Sequence, residues 1–118
     1  MEKIPCICVM RELSVALSSL ENSLLEHHGV SFNEAMVMCA VGSESVLPTF
    51  VSEQTGISPS NTSKLLNSLE KKGLISRSLG KPDRRSVMVS LTAAGADRLQ
   101  QIKYFKFEIP PVLKNLFS

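Results

Sequence analysis

No run of this 118-residue chain approaches the ~20 consecutive apolar residues that a membrane-spanning helix needs, so no membrane partner is expected. The apolar residues after Lys3 are cut short by Arg11 and Glu12, with no small-residue cleavage site behind them, which argues against a signal peptide. Cysteine is scarce and odd in number: Cys6, Cys8 and Cys39 suggest reduced thiols and a cytoplasmic location rather than a disulfide framework. Low-complexity tracts are missing, and so are a nucleophile–base set, a glycine-rich phosphate loop and four metal ligands at usable spacing. The histidines form one adjacent pair, His27-His28, expected as solvated surface at a helix C-terminus. These absences argue against an enzyme and against any cofactor. The chain is long enough for one cored domain, residues 1–118, but not for a cleft between domains.

The net charge of +2 hides a strong division along the chain. Residues 1–56 carry two cations, Lys3 and Arg11, against seven glutamates. Residues 57–85 reverse this, with Lys64, Lys71, Lys72, Arg77, Lys81, Arg84 and Arg85 against only Glu70 and Asp83. A solvated surface usually intersperses the signs, whereas a confined basic stripe is what binding to phosphates requires.

The spacing of apolar residues predicts a mainly α fold with one small antiparallel hairpin. Cys6, Met10, Leu13, Leu17, Leu20 and Leu24 recur at alternating steps of four and three, a narrow seam on a helix that starts near Pro5 and closes at Gly29. Such a seam suits either intramolecular core or a dimer interface. A second helix begins at Ser31, with Glu34 at its capping-box position. Residues Ala35 to Val41 are apolar on nearly every face, so this helix is expected to be central, with Cys39 as inert core. Val46 and Leu47 suit a very short strand pairing with the later hairpin.

Residues Leu47–Gly56 then predict a short helix, started by Pro48 and turned inward through Phe50, Val51 and Ile57. The turn Thr55-Gly56-Ile57-Ser58 leads to a helix over 59–72, capped by Ser58 with Pro59 as its first residue and stopped by Gly73. Thr62, Leu65, Leu66 and Leu69 point inward. Ser60, Asn61, Ser63, Lys64, Asn67, Ser68 and Lys71 are left outward, with short polar groups suited to base edges in a major groove and lysines long enough for phosphates or guanine.

A wing over 74–91 follows: strands Leu74–Leu79, which carries Arg77, and Ser86–Leu91, joined by the tip 80–85. The tip bears Lys81, Arg84 and Arg85. Asp83 lowers its net charge, which makes sense if the carboxylate holds an arginine in one orientation for a narrow minor groove. A helix from Thr92 carries Leu99, Ile102, Tyr104 and Phe105 on its apolar side until Ile109-Pro110-Pro111, leaving Val112–Phe117 at most a short final helix.

Thr55-Gly56-Ile57-Ser58, Leu69-Glu70-Lys71-Lys72-Gly73-Leu74-Ile75-Ser76-Arg77, Asp83-Arg84-Arg85 and Leu91-Thr92-Ala93-Ala94-Gly95 stand in the order and spacing of one family. Together they resemble the MarR family of bacterial winged-helix transcriptional regulators, whose Asp-x-Arg wing motif matches Asp83 and Arg85. The resemblance implies a homodimer on a pseudo-palindromic operator in double-stranded DNA, usually a repressor released by a small-molecule effector or by oxidation. It also implies that residues 1–29 and 92–118 are dimerisation helices around a DNA-reading core, 31–91, with Thr92 as the cap of the last long helix. The prolines near the C-terminus and the short chain depart from the family pattern.

The DNA-binding residues expected from all this are Ser58, Ser60, Asn61, Ser63, Lys64, Asn67, Lys71, Arg77, Lys81, Asp83, Arg84 and Arg85. Two other readings compete. A winged helix can serve protein–protein assembly without specific DNA binding, although residues 58–95 contain no aromatic to offer a partner. Alternatively, Cys6 and Cys8 make the chain a thiol-based redox-sensing regulator, for which the positive surroundings are thin: a helix N-terminus and Lys3.

Overall fold

The structure, a computed structural model, describes residues 2–79 and 87–117, which form two compact units. One comprises residues 1–31 and 105–118, the other residues 32–104. No helix among the described residues is long and apolar enough to cross a membrane.

The first unit is built on α1, Pro5–His28. Proline at the first position needs no intrahelical N–H bond. At the other end Gly29 adopts φ 70°, and its N–H closes the helix on the Leu25 carbonyl. A 3₁₀ helix, Pro111–Leu116, packs on α1 and buries Leu113. The expectation of solvated histidines holds for His27, which is exposed, and fails for His28. His28 is 6% exposed and lies edge-on to Phe105, ring centroids 4.9 Å apart, with Phe107 at 6.0 Å. Phe105 is likewise not on the preceding helix, which ends at Tyr104. Past the helix end its ring contacts both histidines, while Tyr104 is exposed. The seam on α1 is only partly filled within the chain. Leu24 is buried, but Met10 and Leu17 remain 63% and 50% exposed.

The second unit holds α2 (Phe32–Val41), α3 (Pro48–Thr55), α4 (Pro59–Lys71), β1 (Ile75–Leu79), β2 (Val87–Leu91) and α5 (Ala93–Tyr104). Its core gathers Val37, Met38, Val51, Leu66, Leu69, Leu74, Ile75 and Val89. The apolar run of α2 therefore does become central, with one exception: Cys39 is exposed, not core. Burying most of the helix circumference still leaves one stripe to solvent. Partial desolvation nonetheless pushes the Cys39 thiol above its ordinary pKa. Its alkylation at pH 8 should therefore be slower than in the urea-unfolded chain, as peptide mapping would show. The shift also favours the protonated folded state. That contribution is complete below the ordinary thiol value and fades as pH rises through the folded one.

β1 and β2 pair antiparallel, with Ile75 opposite Leu91, Arg77 opposite Val89 and Leu79 opposite Val87. Val46 joins the edge by a reciprocal pair of backbone bonds to Val89, 2.8 and 2.9 Å, as the short strand at Val46 leads one to expect. Together with the helix-turn-helix α3–α4, this hairpin completes a winged-helix arrangement.

Candidate nucleic-acid interface

Helix α4 is held at both ends and along its inner side. Ser58 adopts φ −58°, ψ 152°, and its hydroxyl accepts from the Asn61 N–H at 3.2 Å, the expected N-cap. Such a cap contributes about 1 kcal/mol. Gly73, at φ 75°, reverses the chain behind the helix, and its N–H donates to the Glu70 carbonyl.

The turn between α3 and α4 is fastened by three hydroxyls that converge on Ile57. The Ser52 hydroxyl donates to the Ile57 carbonyl at 2.6 Å, and the buried Thr62 hydroxyl reaches the same oxygen at 3.4 Å. The Thr55 hydroxyl donates to the Val51 carbonyl and accepts the Ile57 N–H. Local hydroxyl-to-backbone bonds of this kind set the turn angle where no ladder exists. Phe50 does not share the inward role expected of it: Val51 occupies the buried side of this short helix, and Phe50, one residue around, is 41% exposed.

Behind α4 stands a buried carboxylate. Glu34, 4% exposed, accepts from the Ser68 hydroxyl at 2.7 Å and pairs with the Lys72 ammonium at 2.8 Å. Ser68 is thus turned towards α2 rather than outward, and Lys72 ties the end of α4 to the start of α2. A lone carboxylate in a mainly apolar helix was the only hint of this network. Its partners lie 34 and 38 residues away, beyond any periodicity.

What remains outward on α4 is the polar face expected from its sequence: Ser60, Asn61, Ser63, Lys64, Asn67 and Lys71 are all exposed, beside the exposed cap Ser58. Among the described residues neither Lys64 nor Lys71 is paired with a carboxylate. Arg77 is placed differently. Strand alternation puts it on the same face as Ile75 and opposite Val89, facing α4. Its guanidinium donates to the Asn67 amide oxygen at 2.8 Å and lies 3.9 Å from the Glu70 carboxylate. Lys81, Asp83, Arg84 and Arg85 lie outside the described residues. Cys6 and Cys8 are exposed near the start of α1, in the other unit.

An apolar groove of about 270 Å³ runs beside α4, walled by Pro48, Pro59, Leu66 and Val87, with Arg77 contributing its charge. The far side of the hairpin is anchored by Thr92. Its hydroxyl donates to the Gly73 carbonyl at 2.6 Å and accepts the Gly95 N–H at 3.0 Å, so one side chain caps α5 and fixes it to the end of the α4 turn.

Comparison with known proteins agrees with this arrangement. A family model described as MarR family matches residues 28–86. A 42-residue stretch is 52% identical to the HTH-type transcriptional regulator YfiV of Bacillus subtilis; it covers 36% of this chain but only 26% of that protein. The fold resembles that of S. aureus MepR in a complex with DNA, with TM-score 0.66 and 16% identity over 93% of this chain and 86% of that one. It also resembles Bordetella bronchiseptica BpsR, whose DNA binding is regulated by 6-hydroxynicotinic acid, with TM-score 0.72 and 16% identity over 98% and 77% of the two chains.

Proposed function

The chain belongs to the MarR family, and from that premise we propose that it regulates transcription by binding a pseudo-palindromic operator as a homodimer. Its fold is that of MarR-family transcriptional regulators. The observation that carries the reading is the exposed polar face of α4, with Lys64 and Lys71 outward and its shape held by the Ser58 cap and the Glu34–Lys72 pair. In this reading α4 enters the major groove. The tip residues Lys81, Asp83, Arg84 and Arg85 reach the minor groove, with Asp83 orienting Arg85.

The dimer reading is supported by the apolar seam that α1 leaves open at Met10, Leu13 and Leu17, together with exposed Val112, Leu116 and Phe117 in the same unit. Residues 1–29 and 92–118 would supply the dimerisation helices, and residues 31–91 the reading core. An apolar patch of this kind on a chain otherwise suited to water marks a surface for a partner. Repression relieved by a small ligand is the regulatory mode we propose. The groove walled by Pro48, Pro59, Leu66 and Val87 suits a small aromatic, and Arg77 would favour a carboxylate on it.

Selection of duplexes from a random library by the purified protein tests the proposal. An inverted repeat is expected, with log affinity falling by ~0.9 per phosphate neutralised for each unit of log salt. Arg85→Ala should weaken that binding severely while leaving the melting temperature nearly unchanged. Equal and weak binding to every duplex, indifferent to Arg85→Ala, would remove the regulator reading and favour an assembly module.

A further inference from the structure

Arg77 and Asn67 together define a feature that neither residue type announces alone. A guanidinium has five N–H donors and no acceptor, so the atom of Asn67 facing it at 2.8 Å must be the amide oxygen. The hairpin fixes the backbone from which Arg77 reaches Asn67. Arg77 sits opposite Val89, itself bonded to Val46 on its other edge, and its second nitrogen lies 3.9 Å from Glu70. Asn67 is exposed on the same outward face as Ser60, Ser63 and Lys64.

Resting on the reading of a DNA-binding regulator, we infer that Arg77 is a positioning residue that orients Asn67 to read DNA through its amide N–H groups. An unrestrained asparagine pairs with adenine through both amide atoms, accepting from N6 and donating to N7. With its oxygen turned onto Arg77 and one lone pair taken, Asn67 is left to read mainly through its N–H groups. It therefore favours guanine, whose N7 and O6 offer two adjacent acceptors, over adenine and thymine, which offer one each, and gains nothing from the adenine or cytosine amine. The same contact diverts Arg77 from the phosphates, since its charge is directed along the inner face of the hairpin towards α4.

Duplex selection with the wild type and three variants tests this. Asn67→Ala identifies the operator position that Asn67 reads, by loss of preference there. At that position the wild type should favour guanine over adenine about five- to tenfold, the worth of roughly one to one and a half kcal/mol. Arg77→Met keeps the aliphatic stem and removes the donors, so the freed amide should shift the preference towards adenine. Asn67→Asp keeps a partner for Arg77 and leaves only acceptors, so it should shift the preference to cytosine or adenine even if Arg77→Met folds poorly. An adenine preference in the wild type overturns the inference. So does Arg77→Met that weakens all sequences equally with unchanged preference, the behaviour of a phosphate contact. So do an Asn67→Asp preference equal to wild type and an Asn67→Ala pool with every position intact. Failure of the wild type to enrich any sequence overturns the regulator reading itself, and this inference with it.

Discussion

Gly95→Ala should unfold this protein at a markedly lower temperature, although alanine is the better helix former. Gly95 is the third residue of α5, where exchange to alanine in an exposed helix would gain about 1 kcal/mol. Here a Cβ would run into the carbonyl oxygen of Leu74, with the Leu74 carbonyl carbon at 3.0 Å and its Cα at 3.4 Å. The obstacle is backbone, not the end of a flexible side chain, and it is the backbone on which α5 is pinned. The Leu74 carbonyl accepts the Thr92 N–H, and the Gly73 carbonyl accepts the Thr92 hydroxyl. Relief therefore means moving α5 away from the start of the hairpin. We expect a loss of about 3 kcal/mol or more, a fall in Tm of ~10 °C or more for a chain of this size. Calorimetry decides the sign: an unchanged or raised Tm would show that α5 does not approach the hairpin as described.

The second large effect concerns the carboxylate behind the reading helix. Lys72→Met should cost roughly 2–4 kcal/mol, because Glu34 stays buried and charged after losing its cation. The lower part of that range reflects the Lys72 side chain, which is 36% exposed and lets water reach its end of the pair. The double variant Glu34→Leu/Lys72→Met should be more stable than Lys72→Met alone, since it removes the stranded charge along with its partner. Urea midpoints at constant slope would read both. Additive losses in the double variant would show that the pair is solvated and contributes little. Because the pair joins the start of α2 to the end of α4, Lys72→Met should also loosen the presentation of the exposed polar face of α4.

These two sites mark where the chain could be read unaided and where it could not. The helix starts and stops were written in residues with local consequences: Pro5, Ser58 before Pro59, Gly29, Gly56, Gly73 and Thr92 act within a turn of where they stand. The two strands of the hairpin were legible as short apolar runs around a basic tip, and the short pairing at Val46 from apolar residues next to a loop. The polar face of α4 and the concentration of cations in 57–85 were visible for the same reason. Periodicity and charge are additive along the chain, so they survive without knowledge of contacts.

Contacts distant in sequence were not legible, because nothing local encodes which groups will meet. His28 looked like a solvated helix end until Phe105 and Phe107 closed over it. Glu34 looked like a cap residue, Ser68 like part of the outward face, Lys72 like one cation of the basic stripe, and Arg77 like one more DNA contact. Tertiary packing brought the first three together in a buried network and turned Arg77 onto Asn67. Hydrophobic pattern and turn chemistry are properties of a segment, and they sufficed to identify a winged helix with a basic reading element. Which cations face outward, and which amide atom is left for a partner, depends on the desolvation and pairing of side chains from separate segments. Only the folded arrangement decides that.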